Sequence, residues 1–125
     1  MENTCIFCSI VKIEIKSFPV YEDNLVIAVL DVNPATEGHV IVIPKTHYNS
    51  LYEMPQDQFA YILTISRALA YALLLTQKST NVDILYTREL IKGNMTPHAI
   101  VHLIPRYQDD TVAYNWQPSK PNEDQ

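Results

Sequence analysis

The stretch Asn94-Met-Thr-Pro-His98-Ala-Ile100-Val-His102-Leu-Ile-Pro-Arg106 decides how this chain folds. Read as a helix, it sets His98 and His102 one turn apart, close enough to share a metal ion. Ile100, Val101 and Ile104 favour a strand instead, and two prolines tell against a helix interior. On a strand His98, Ile100 and His102 share a face, with the two imidazoles about 13 Å apart at ~3.3 Å per residue. One ion cannot reach both. They serve different sites, or at least one is a hydrogen-bonded histidine without a chemical role.

Working outward, His39-Val-Ile-Val-Ile-Pro44 is apolar on both alternating faces, which predicts a central strand ended by Pro44. A further strand is expected within Tyr21 to Asp31, rich in β-branched residues and turned at Glu22-Asp23-Asn24, and another over Val82 to Tyr86. Asn33-Pro34 and Gly38 punctuate a loop between the first two. Pro55 and Asp57 suit the start of a helix that runs to about Gln77. On that helix Phe59, Ile62, Leu63, Leu69, Ala70 and Leu73 form a face for the sheet. Tyr61, Ile65, Ala68, Ala72 and Leu75 form a second stripe nearly as apolar, and Arg67 is the only charge between Gln58 and Gln77. A monomer would leave that stripe in water, so a homodimer packed through this helix is expected.

A chain of 125 residues has room for one domain, and its 47% hydrophobic content can fill a core. Only 18% of residues are charged, against roughly 25% in an average soluble domain, so part of the surface is expected to be covered. A net charge of -5 leaves no electrostatic footprint for a phosphate backbone, and no nucleic acid is expected as partner. Two glycines, Gly38 and Gly93, are too few for a dinucleotide-binding fingerprint or a Walker loop. The longest apolar run, Ala68 to Leu75, is far short of the ~18 residues of a membrane span, so no membrane is expected either. The opening Met-Glu-Asn-Thr-Cys has no secretory signature, which points to a cytoplasmic, reducing location. There, Cys5 and Cys8, three apart, read as metal or redox chemistry before they read as a staple.

The His98-to-Arg106 segment resembles the histidine-triad (HIT) family, whose signature is His-x-His-x-His followed by two apolar residues and often Pro-Arg. Gly38-His39 running to Pro44-Lys45-Thr-His47 is similar to that family's central strand, and Leu30-Asp31 before Pro34 to the loop ahead of it. The likeness spans roughly Cys5 to Tyr114. It implies an α+β HIT-like fold over residues 1–114, an antiparallel sheet with one long helix packed on it, and a tail over 115–125. It also implies a purine nucleoside phosphate as ligand. In the family the middle histidine attacks the α-phosphorus and forms a covalent intermediate that water hydrolyses.

In that register Ile100 occupies the nucleophile's place, and an isoleucine has no lone pair. The family commonly has Asn-x-Gly-x-x-x-Gly-Gln ahead of the triad, where this chain reads Thr87-Arg-Glu89-Leu-Ile-Lys-Gly93-Asn94. Glu89 adds negative charge where phosphates would approach, unless it points to solvent. The resemblance implies a structural zinc on Cys5, Cys8, His47 and His98, a closed Cys2His2 set. It implies a nucleotide site at Phe7, Ile27, Leu30, Asp31, His39, Asn94 and His102, with Tyr114 and Trp116 reaching a site from the tail. Asp31 reads equally as a ribose ligand or as a turn cap. The expected function is nucleotide binding with hydrolysis lost or strongly impaired. Two alternatives stay open: an active hydrolase using His102 or an activated water, and a zinc-stabilised dimeric interaction protein that binds no nucleotide.

Overall fold

The structure is a computed structural model and describes residues 5–89 and 97–124. A short helix, α1 (Ile6–Val11), precedes strands β1 (Pro19–Glu22), β2 (Val26–Leu30) and β3 (Val40–Pro44). A single 3-10 turn (Leu51–Glu53) leads into the long helix α2 (Gln56–Thr76), followed by β4 (Asn81–Glu89) and β5 (His98–Arg106). The five strands form one sheet in the order β1-β2-β3-β5-β4, and every neighbouring pair is antiparallel. The expected α+β architecture, an antiparallel sheet carrying one long helix, is what the chain adopts.

Because strand side chains alternate, β2, β3 and β5 divide the core into two layers. Val26, Ala28, Val40, Val42, Ala99, Val101 and Leu103 face α2. Ile27, Val29, Ile41, Ile43 and Ile100 face the other way, where Cys5, Phe7 and Ile10 of the α1 segment cover them. Both faces are therefore apolar, which accounts for strands with no polar side.

Helix α2 begins one residue later than expected, with Pro55 at the cap position. Ile62, Ser66 and Ala70 are its buried residues, and Phe59, Leu69 and Leu73 pack around them. Three assignments change. Tyr61 and Ile65 also pack against the core, while Leu63 is exposed. The outward face is thus Ala60, Leu63, Arg67, Ala68, Tyr71, Ala72 and Leu75. By length and composition α2 would also suffice to cross a membrane, but here one face lies on the sheet.

The Tyr21–Asp31 stretch, expected to hold one strand, contains the end of β1, a turn and all of β2, which pair as a hairpin. Asp23 organises its turn, accepting hydrogen bonds from the Leu25 and Val26 amides at 2.8 and 2.9 Å and from the Tyr21 and Tyr61 hydroxyls. Partial burial works against the charged carboxylate, yet these four donors hold the Asp23 pKa down to about 2. Neither α1 nor β1 is legible from periodicity, since each is shorter than the windows that periodicity needs. α1 closes with Glu14 and Ile13 amides donating back to Ser9 and Ile10 carbonyls. That places Ile13, at φ +60°, where a glycine is usual.

Candidate functional site

Two histidine clusters form on the α1 side of the sheet, and β5 contributes to both. At its start His98 is fully buried. The Cys5 Sγ lies 3.1 Å from His98 Nδ1, and the Cys8 Sγ lies 3.1 Å from His47 Nδ1 and 3.7 Å from His98 Nδ1. The four ligand atoms all fall within 4.8 Å of one another. Their tautomers suit a cation. His98 Nε2–H donates to the Pro44 carbonyl at 3.2 Å, and His47 Nε2–H donates to Asn49 Oδ1 at 2.9 Å. Each ring thereby turns a bare Nδ1 toward the two thiols, the arrangement that orients metal-bound imidazoles. Burial, opposed by the Pro44 hydrogen bond and aided by His47, lowers the His98 pKa to about 4, so this ring is neutral, as a ligand must be. Around a tetrahedral zinc a thiolate sulfur and an imidazole nitrogen stand roughly 3.6 Å apart, which the 3.1 and 3.7 Å separations bracket. The residues fit zinc.

Four residues along β5 from His98, His102 belongs to the second cluster. Its Nδ1 is 2.9 Å from His39 Nε2, and Asp31 Oδ2 is 3.5 Å from the same His39 nitrogen. The ligand atoms of these three residues lie within 4.8 Å of one another, but their hydrogen bonds do not suit a metal. The Ala35 amide donates to His39 Nδ1 at 2.9 Å, so the proton of a neutral His39 sits on Nε2, the atom a cation would need. The loop bearing Asp31 and His39 is tied down at several points. Asp31 Oδ1 accepts the Asn33 amide at 2.8 Å, Thr36 Oγ1 donates to the Pro105 carbonyl at 2.6 Å, and the Tyr107 hydroxyl donates to the Glu37 carbonyl at 2.7 Å. Gly38, at φ +88°, lets the chain turn into β3.

Between the clusters opens a cavity of about 190 Å³. Of the residues expected to hold a nucleotide, Phe7, Leu30, Asp31 and His102 line it. Ile27 is buried beneath it in the core, and His39 stands behind His102. Ile100 lines it directly and is 1% exposed. Asn94 and the side chain of Glu89 lie outside the described residues. Sequence reading missed Lys16, Ser17 and Asn33, which give the cavity its polar mouth, and Ile41, which forms its floor. Ile41 had a signal in the sequence: it pairs with His102 across β3 and β5, on the face opposite to Val40 and Val42.

Two expected contributors lie elsewhere. The Tyr114 hydroxyl donates to Asp83 Oδ2 on β4 at 2.7 Å, and Trp116 is largely exposed; neither lines the cavity. Arg106 binds Asp83 at 2.9 Å, Asp110 at 2.8 and 2.9 Å and the Val112 carbonyl at 3.0 Å. These ion pairs lower the Asp110 pKa and raise that of Arg106, and they clamp the end of β5 to the start of the tail.

Residues 12–109 match the HIT domain. The chain belongs to the HIT family. The SMU.412c protein of Streptococcus mutans UA159 superposes with a TM-score of 0.85 at 38% identity, over 98% of this chain and 78% of that one. The adenosine 5'-monophosphoramidase HNT1 of Candida albicans is 34% identical over 112 residues, 86% of this chain and 74% of that protein. A zinc-bound histidine triad family protein from Mycobacterium smegmatis superposes with a TM-score of 0.75 at 28% identity, over 92% of this chain and 84% of that one. Along β5, His98, Ile100 and His102 alternate on one side of the sheet.

Proposed function

We propose that this HIT protein binds a purine nucleoside phosphate and has lost, or kept only a trace of, nucleotidyl transfer. The observation that carries the reading is Ile100, packed at 1% exposure into the cavity wall between two retained histidines. A hydrocarbon there supplies no electron pair for phosphorus, while the apolar walls and the polar mouth remain fit for binding. The volume is below the ~300 Å³ at the low end for drug-sized ligands, so one ring system enters and the phosphates stay at the His102 end. Phe7, Ile27, Leu30, Asp31, His39, Asn94 and His102 are the residues assigned to that ligand.

In the same reading Cys5, Cys8, His47 and His98 hold one structural zinc, whose binding free energy is folding free energy. The zinc-bound relative and the matching tautomers support this. The exposed apolar face of α2, with Tyr71 and Leu75 well exposed, supports a homodimer. The domain covers residues 1–114 with 115–125 as a tail, the location is cytoplasmic, and neither nucleic acid nor membrane is a partner.

The test is a calorimetric titration of zinc-loaded protein with AMP, run beside an assay of nucleotide release from adenosine phosphoramidate and from a dinucleoside polyphosphate. Saturable AMP binding without turnover supports the proposal. Robust turnover, or no binding of any of the three, overturns it.

A further inference from the structure

The cavity runs across the strands rather than along them. On its floor His102 of β5 pairs with Ile41 of β3, Ile41 with Val29 of β2, and Val29 with Pro19 of β1. At about 4.8 Å per strand that row spans roughly 14 Å, and Lys16 and Ser17 close its far end just before β1. A nucleoside monophosphate covers such a span once the His102 and Lys16 side chains reach inward. With phosphate at the His102 end, which rests on the nucleotide function proposed above, the base comes to lie at the other.

That end suits a base. Ile10, Ile15 and Leu30 offer apolar walls to its faces, and Lys16, Ser17 and Asn33 are the polar groups near its edge. Asp31 lines the cavity too, but its Oδ1 accepts the Asn33 amide at 2.8 Å and its Oδ2 lies 3.5 Å from His39 Nε2, which turns the carboxylate toward the His102 end. Ser17 and Asn33 can each donate or accept, so they tolerate either kind of edge. Lys16 can only donate. Its Nζ stands 5.6 Å from the centroid of the Phe18 ring, a cation–π contact that keeps the ammonium at the mouth, and among the described residues it makes no hydrogen bond or ion pair.

We infer that Lys16 reads the base and gives the site a preference for 6-oxopurine nucleotides, those of guanine and hypoxanthine, over adenine nucleotides. Guanine presents N7 and O6, two acceptors side by side, whereas adenine sets its N6 amino donor beside N7. Hypoxanthine shares N7 and O6 with guanine. An ammonium therefore meets two acceptors on the 6-oxo edge and a competing donor on the other. Because Lys16 is exposed, the preference falls at the low end of base discrimination, about tenfold.

Calorimetric titration of the zinc-loaded full chain with GMP, IMP and AMP tests this. GMP and IMP should bind alike and about tenfold more tightly than AMP. Lys16→Met keeps an apolar stem, removes the donor and, at an exposed position, leaves the fold intact. It should bring the three nucleotides within about twofold of one another by weakening GMP and IMP. AMP bound as tightly as GMP, or IMP grouping with AMP, overturns the inference and leaves the nucleotide reading standing. So does an equal loss for all three in Lys16→Met, which would put Lys16 on the phosphate. Binding of none of the three overturns the nucleotide reading and this inference with it.

Discussion

Ile100→His exchanges packing for chemistry, and both sides of the exchange are measurable. Ile100 is 1% exposed and sits among Phe7, Ile10, Val29, Ile41 and Ile43. Burying an isoleucine side chain contributes roughly 2–3 kcal/mol, part of which an imidazole ring retains. A buried imidazole nitrogen without a partner costs about 1–3 kcal/mol. The net loss is therefore about 3 kcal/mol. Unfolding entropy of roughly 2.1 cal/mol/K per residue makes 125 residues equivalent to about 0.26 kcal/mol/K, so Tm should fall by roughly 10 °C. Differential scanning calorimetry of the zinc-loaded variant measures the fall. In return, the new imidazole would stand on β5 between His98 and His102, and some covalent nucleotidylation should appear by mass spectrometry after exposure to adenosine phosphoramidate. A Tm within about 2 °C of wild type would show that the packing argument is wrong. Fast hydrolysis by the unmutated chain, abolished in His102→Ala, would show that a working enzyme had been misjudged as a disabled one.

Four further outcomes are expected. Ser66 Oγ, buried on the sheet side of α2, has no hydrogen-bond partner among the described residues, so Ser66→Ala should stabilise by about 1–2 kcal/mol in thermal or urea unfolding. Asp23, with its pKa lowered to about 2, contributes stability that is complete above the unfolded value near 3.8 and is lost as pH falls through about 2. Asp23→Asn should accordingly trail wild type at pH 7 and converge with it in acid, as followed by circular dichroism. Cys5→Ala, or chelation of the wild type, should lower thermal stability, and elemental analysis should find one zinc per chain; metal-free protein of undiminished stability refutes the site. Ala68→Glu, on the outward face of α2, should bury a carboxylate in the dimer and give monomers by light scattering, and a monomeric wild type at micromolar concentration refutes the interface.

What was legible from the amino-acid order is whatever depends on periodicity and on residue chemistry. The unbroken apolar runs at β2 and β3 announce strands buried on both faces, because a strand with one wet face alternates. The same alternation puts His98, Ile100 and His102 on one side of β5, and an isoleucine lacks an electron pair in any fold. Tertiary structure alone decided the rest. Which residues meet across β3 and β5, and so that Ile41 floors the cavity beside His102, follows from strand register. The stripe of α2 that stays exposed follows from where the sheet lies, which moved Tyr61 and Ile65 inward and left Leu63 outside. Arg106, which the motif alone could have sent to a phosphate, is held by Asp83 and Asp110 because β4 and the tail bring their carboxylates to it. The hydrogen bond to His39 lies furthest from the sequence: it depends on one backbone amide, that of Ala35, being aimed at a ring nitrogen four residues on, and such an aim exists only once the loop between β2 and β3 is closed.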